Sequence, residues 1–264
     1  MNKVLTVLLG IIFIFVVIAG QAHWKNKAAD ASAGKAPSPV EAVSKSQAKA
    51  EADTTLPDLL RYTANWPDDS VATFKQALEE KRPYKILFLG SEAMGTETTG
   101  AYSLVKQKLL DTFGENTVQV SLKTFKTTSA QFLSSQKQTE VADEKADMII
   151  FEPFILNNNG NVTINNTKKD LEKIIDDIKA ENPKTVFILQ PSYPLYQAKI
   201  YPTQVADLKK YAEENNLPYL DHWTAWPDSN SDEMKPYLLP NQSAPSDKGN
   251  QVWSDYLIHY LISQ

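Results

Sequence analysis

The chain has 264 residues, 42% of them hydrophobic, with a formal net charge of −5 and no cysteine. Zero cysteine excludes disulfides, thiolate metal sites and cysteine nucleophiles together, and the three histidines (His23, His222, His259) leave little material for a zinc site. The mildly acidic balance lacks the basic footprint of a nucleic-acid binder, so no nucleic acid is expected as a partner; no metal or cofactor is expected either.

Lys3 precedes an apolar run over 4–20 that is interrupted only by Thr6 and Gly10. A run of ~17 residues reaches the lower limit for crossing hydrocarbon and exceeds the usual signal-peptide core. Trp24 suits the membrane interface, with Lys25 and Lys27 anchoring beyond it. Residues 1–24 therefore read as a single-pass membrane anchor with the body of the protein outside the cytoplasmic membrane. The competing reading is a cleaved signal and a secreted body, since Gly20 and Ala22 are small residues at cleavage spacing. No cysteine follows the run, which excludes a lipoprotein anchor. Residues 25–54 are mostly Ala, Ser, Lys, Glu and Pro, too poor in large apolar side chains to offset ordering entropy, and are expected to be a disordered spacer.

Residues 55–264 are long enough for one α/β domain. Five strand-like apolar runs are expected at 85–89, 117–125, 147–154, 185–190 and 218–223. The third and fourth are almost continuously hydrophobic, as parallel strands covered on both faces are. Between them, Leu171, Ile174, Ile175 and Ile178 recur at helical spacing over 167–182, and Pro183 closes the segment. Further helices are expected at 204–215 and 247–262. Alternating strands and helices predict a three-layer α/β/α sandwich with a five-stranded parallel sheet in the order 2-1-3-4-5.

In such sheets ligands and nucleophiles sit beyond the carboxyl ends of the strands. The turn from Gly90 to Gly95, immediately after the first strand, is therefore the expected site of any chemistry.

The domain resembles the SGNH/GDSL hydrolases, a lipase- and acylesterase-like superfamily with a flavodoxin-like sheet. The resemblance is carried by four blocks. The first is the strand Ile86, Leu87, Phe88, Leu89 running into Gly90 and Ser91; the second is the stretch from Phe151 through Asn157 to Gly160. The third joins Tyr219, Asp221, His222 and Trp223 to Trp226, Pro227 and Asp228; the last is Pro245 with the Lys248–Gly249 turn and Trp253. The resemblance implies ester hydrolysis, and the residues depart from it. Glu92 stands at the position of the family's nucleophilic serine, and Asn241 and Ala244 stand where its Asp and His belong. The family's glycine after the second strand has no match, and Asn157 alone corresponds to an oxyanion-hole residue, beside the backbone of Gly90 and Ser91.

A serine becomes a useful nucleophile only when a neighbouring base takes its proton and a third group orients that base. Ala244 offers no acceptor, and Glu92 would place negative charge where an oxyanion must form. A rebuilt triad of Ser91, His222 and Asp221 is the alternative. Strands 1 and 5 lie three spacings apart, however, roughly 14 Å at ~4.8 Å each, against the ~3 Å a Ser–His bond needs. The bland readings are a helix cap for Ser91, a hydrogen-bonded structural imidazole for His222 and packing for Trp223 and Trp226. The expected function is a catalytically degenerate relative that binds a cell-envelope glycan or acylated carbohydrate. Two alternatives stand beside it: an active esterase or deacetylase centred on Ser91, and a scaffold in surface-polysaccharide or wall assembly.

Overall fold

A computed structural model describes residues 56–263. The expected anchor (1–24) and the expected spacer (25–54) lie outside these residues. Among the described residues no helix is long and apolar enough to cross a membrane.

Four strands form the sheet: β1 (Tyr84–Gly90), β2 (Val118–Thr124), β3 (Met148–Phe151) and β4 (Val186–Leu189). All pairs are parallel, in the order β2-β1-β3-β4. Among the described residues the α-helices are α1 (Leu56–Tyr62), α2 (Asp68–Glu79), α3 (Gly100–Phe113), α4 (Ser129–Ser134), α5 (Lys137–Ala142), α6 (Ile155–Asn158), α7 (Ile164–Glu181), α8 (Tyr201–Glu214) and α9 (Asp247–Leu261).

Successive strand residues face opposite sides of a sheet, and here both sides are apolar. Ile86 and Phe88 of β1, Met148 and Ile150 of β3 and Ile188 of β4 pack into one core with Phe74 of α2, Tyr102, Val105 and Leu109 of α3, and Trp253 and Leu257 of α9. Their neighbours Leu87, Leu89, Ile149, Phe151, Phe187 and Leu189 pack on the other side with Phe132 of α4, Leu171, Ile174 and Ile178 of α7, and Val205 and Leu208 of α8. The three-layer α/β/α expectation holds.

The fifth strand does not form as expected. The segment after α8 makes one parallel bridge, Leu189 to Tyr219, with Leu189 N–H donating to Pro218 O and Leu220 N–H to Leu189 O, both at 2.8 Å. Pro218 has no N–H to extend the ladder, and at His222 the backbone already coils into a 3-10 turn spanning His222–Ala225. The sheet therefore has four strands rather than five, although the short bridge occupies the place beside β4 that the expected order assigns to strand 5. β3 is likewise shorter than its apolar run, ending before Glu152 and Pro153, and Phe154 takes a left-handed φ of 60°.

The helices follow the sequence more closely. α7 begins three residues before the expected start because Thr163 caps it, its Oγ1 accepting from Asn166 N–H at 3.3 Å. Ser246 caps α9 in the same way, its Oγ accepting from Gly249 N–H at 3.3 Å. Gly249 is in place because the helix start is pressed against its neighbours. A Cβ there would lie 2.2 Å from Tyr237 O and 2.9 Å from Trp226 Cη2. Gly249→Ala is accordingly expected to destabilise the protein by about 1–3 kcal/mol. Urea denaturation checks this, and a loss below about 0.5 kcal/mol would mean that the contact yields at no cost.

Candidate functional site

The carboxyl edge of the sheet is where β1, β3 and β4 end together, at Gly90, Phe151 and Leu189. Glu152 lies there, fully buried, immediately after β3. Its closeness is what requires a glycine at position 90: a Cβ on Gly90 would sit 2.7 Å from Glu152 Cβ and 2.8 Å from Glu152 O. Ser91 N–H donates to Glu152 Oε2 at 2.7 Å, while Glu152 Oε1 has no hydrogen-bond partner among the described residues. Burial pushes the Glu152 carboxyl up to about 7, against the opposing pull of the Ser91 hydroxyl and backbone N–H.

Ser91 is itself buried, 3% exposed, and caps a 3-10 turn spanning Glu92–Met94. Its Oγ accepts from Ala93 N–H at 3.4 Å. Glu92, expected from the sequence at the position of the family's nucleophile, is exposed at the start of that turn.

The residues proposed for a rebuilt triad are not brought together. His222 is fully buried and spent at both ring nitrogens: Nε2 donates to Pro191 O at 2.9 Å, and Nδ1 accepts from Trp226 Nε1–H at 3.1 Å. The ring stacks on Trp253 with centroids 4.7 Å apart and planes 13° from parallel. Burial lowers its pKa to about 4, so it stays a neutral imidazole. Asp221, meant to orient it, instead pairs with Lys209 Nζ at 2.8 Å. His222 thus belongs to the packing, as a structural imidazole does. The same holds for the tryptophans beside it, since Trp223 Nε1–H donates to Ser192 O at 2.7 Å and Trp226 is buried.

Asn157, the expected oxyanion donor, is on α6, and its Nδ2 donates to Thr127 O at 2.9 Å. That bond ties the loop after β3 to the loop after β2. Asn241 lies in an exposed loop, its Oδ1 accepting from Ser243 N–H at 3.1 Å and Ser243 Oγ at 2.7 Å. Ala244 accepts from Leu239 N–H through its carbonyl at 3.0 Å. Gln242 between them carries the loop to the site's edge: its Oε1 accepts from Tyr196 N–H at 2.9 Å and its carbonyl from Tyr193 Oη at 3.0 Å.

Several further polar residues of this edge are buried. Gln190 accepts from Trp253 Nε1–H at 3.0 Å, joining β4 to α9. Ser192 Oγ and Tyr201 Oη are buried without hydrogen-bond partners among the described residues. Glu152 had a visible signal, an acidic residue directly ending an apolar strand; its contact with Gly90 had none. Two grooves lie at the opposite, amino edge. One of about 500 Å³ is bounded by Asp69, Gln76, Lys184 and Pro218, and one of about 370 Å³ by Asp147, Glu181 and Lys184.

The arrangement of strands, helices and carboxyl edge is matched among solved structures. One described as a GDSL-like lipase from Parabacteroides merdae superposes with a TM-score of 0.57 at 14% identity, covering 69% of this chain and 96% of that one. The fold is SGNH/GDSL-hydrolase-like. One described as a lipolytic protein of the G-D-S-L family, from Desulfitobacterium hafniense, matches with a TM-score of 0.54 at 18% identity, over 67% of this chain and 99% of the other. An acetylxylan esterase from Geobacillus stearothermophilus matches with a TM-score of 0.54 at 16% identity, over 68% and 94%. No protein-family model and no curated protein matches the chain. At these identities the SGNH-like likeness concerns the fold, and the chemistry rests on the residues described above.

Two buried groups, Glu152 and His222, pull stability in opposite directions with pH. Glu152 has a folded pKa raised from 4.5 to about 7, so its contribution is fully present below 4.5 and is lost as pH rises through 7. His222 has a folded pKa lowered from 6.5 to about 4, so its contribution is present above 6.5 and is lost as pH falls through 4. Between 4.5 and 6.5 the two slopes offset each other. Glu152→Gln removes one of them, and thermal or urea unfolding should then show stability rising with pH to 6.5 and holding level beyond it. At pH above 7 the variant should exceed the wild type by up to about 3 kcal/mol. Parallel pH profiles for the two proteins would refute the assignment.

Proposed function

We propose that this chain is a membrane-anchored, extracytoplasmic protein that uses an SGNH-like scaffold to bind a cell-envelope glycan or its acylated form, with ester cleavage lost. The observation that carries this reading is the engagement of both His222 nitrogens by Pro191 O and Trp226 Nε1. Of the two histidines among the described residues, the other, His259, is exposed on α9. Ala244 supplies no proton acceptor at the position matching the family's base, so Ser91 has no imidazole to activate it. The placement outside the membrane rests on the apolar run over 4–20. Acylated polysaccharide is the first ligand class to test because an acetylxylan esterase shares the fold.

One observation favours the esterase alternative. The Ser91 backbone rests on a carboxyl poised at about 7, in the range where a general base works. Under that reading Glu152 replaces His222 and Asp221 as Ser91's partner.

The full-length protein, assayed with 4-nitrophenyl acetate and acetylated xylo-oligosaccharide, is expected to release acetate no faster than its Ser91→Ala variant. It should still retain envelope polysaccharide in a sedimentation assay. Hydrolysis that disappears in Ser91→Ala and Glu152→Gln would establish the esterase instead. Absence of both hydrolysis and binding would leave the scaffolding role.

A further inference from the structure

Glu152 organises the carboxyl edge in a way that needs neither bound ligand nor catalysis. Four observations meet at its side chain. It is fully buried, directly beneath Gly90, whose missing Cβ makes the approach possible. Its Oε2 holds the Ser91 N–H at 2.7 Å. Its Oε1 has no hydrogen-bond partner among the described residues. The groups that act on it are the Ser91 hydroxyl and N–H and the Phe154 N–H, and the last is already given to the Glu152 carbonyl at 2.9 Å.

The ionisable groups facing it from the neighbouring elements are Tyr193, beyond β4, and Tyr201, at the start of α8. Both phenols are themselves pushed up by burial, and the charge of Glu152 pushes them further, so neither supplies positive charge. Among the described residues no Lys, Arg or His is one of the groups acting on Glu152. A buried carboxylate is well held only when it accepts two or three N–H bonds or meets a cation. Here both donors directed at it, the Ser91 N–H and hydroxyl, belong to one residue, and Oε1 is left unpartnered among the described residues, so the neutral acid fits the pocket better than the anion.

We propose that Glu152 is a proton-operated latch on the Gly90–Ser91 turn: neutral, it stays beneath the turn and seats it; ionised, it swings toward water and frees the Ser91 amide. The turn it governs carries Glu92 and forms one rim of the candidate site, so its seating changes that rim's shape. The latch is independent of the glycan-binding reading and of any residual hydrolysis.

Amide hydrogen exchange on the full-length protein tests this directly. The readout is the protection factor of the Ser91 N–H, corrected for intrinsic exchange, from about pH 5.5 to about pH 8.5. In the wild type it should fall about tenfold or more across neutrality, while the Ile150 amide in mid-β3 keeps its protection. Glu152→Gln, neutral throughout, should hold Ser91 protection constant. Gly90→Ala drives a Cβ against Glu152 and should leave Ser91 poorly protected at every pH. Three results would each overturn the latch: a flat wild-type profile, the same fall in Glu152→Gln, or a fall shared equally by Ile150.

Discussion

Both faces of the sheet are buried, and this single constraint dictates where polar chemistry can sit. Strand residues of β1, β3 and β4 alternate between two apolar cores, so neither face has room for a polar or charged group exposed to water. Polar chemistry is confined to the strand ends. At the carboxyl edge the chain has closed upon itself: Glu152 sits under Gly90, Gln190 reaches Trp253, and Gln242 fastens its loop to Tyr193 and Tyr196. Two open grooves lie at the amino edge. The described residues thus keep an SGNH-like fold with these side chains packed along its carboxyl edge.

His222 shows how that filling works physically. A buried imidazole is stable when each nitrogen has a partner of the right kind, and Pro191 O and Trp226 Nε1 provide one acceptor and one donor. Stacking on Trp253 links the same ring to α9, and Gln190 links Trp253 back to β4. The group welds the final helix to the sheet. With both nitrogens engaged, neither is free for a substrate proton, as a general base would need. Glu152 is the opposite case, a buried acid only partly satisfied, and the residue at this edge with a reason to move.

Much of the fold was legible from local patterning. Leu171, Ile174, Ile175 and Ile178 announce α7 because a helix repeats its buried side every 3.6 residues, whatever it packs against. The runs that became β1 and β3 announce buried strands by being apolar throughout. The fifth strand was misread because Pro218 and the coil at His222 act on ladder geometry, which hydrophobicity does not record. At the site, the capping role of Ser91 was readable from its place before a short turn, whereas the pairing of Asn157 with Thr127 depends on two loops meeting.

Residue type and spacing along the chain sufficed for the α/β class, the parallel sheet and the likeness to an SGNH/GDSL fold. The tasks of the remaining polar residues were assigned by packing in three dimensions. Pro191 lies 31 residues from His222, Glu152 lies 61 from Ser91, and Gln190 lies 63 from Trp253. Hydrogen bonds act over about 3 Å, so partners that far apart in the chain are chosen by strand order and helix packing rather than by any local pattern.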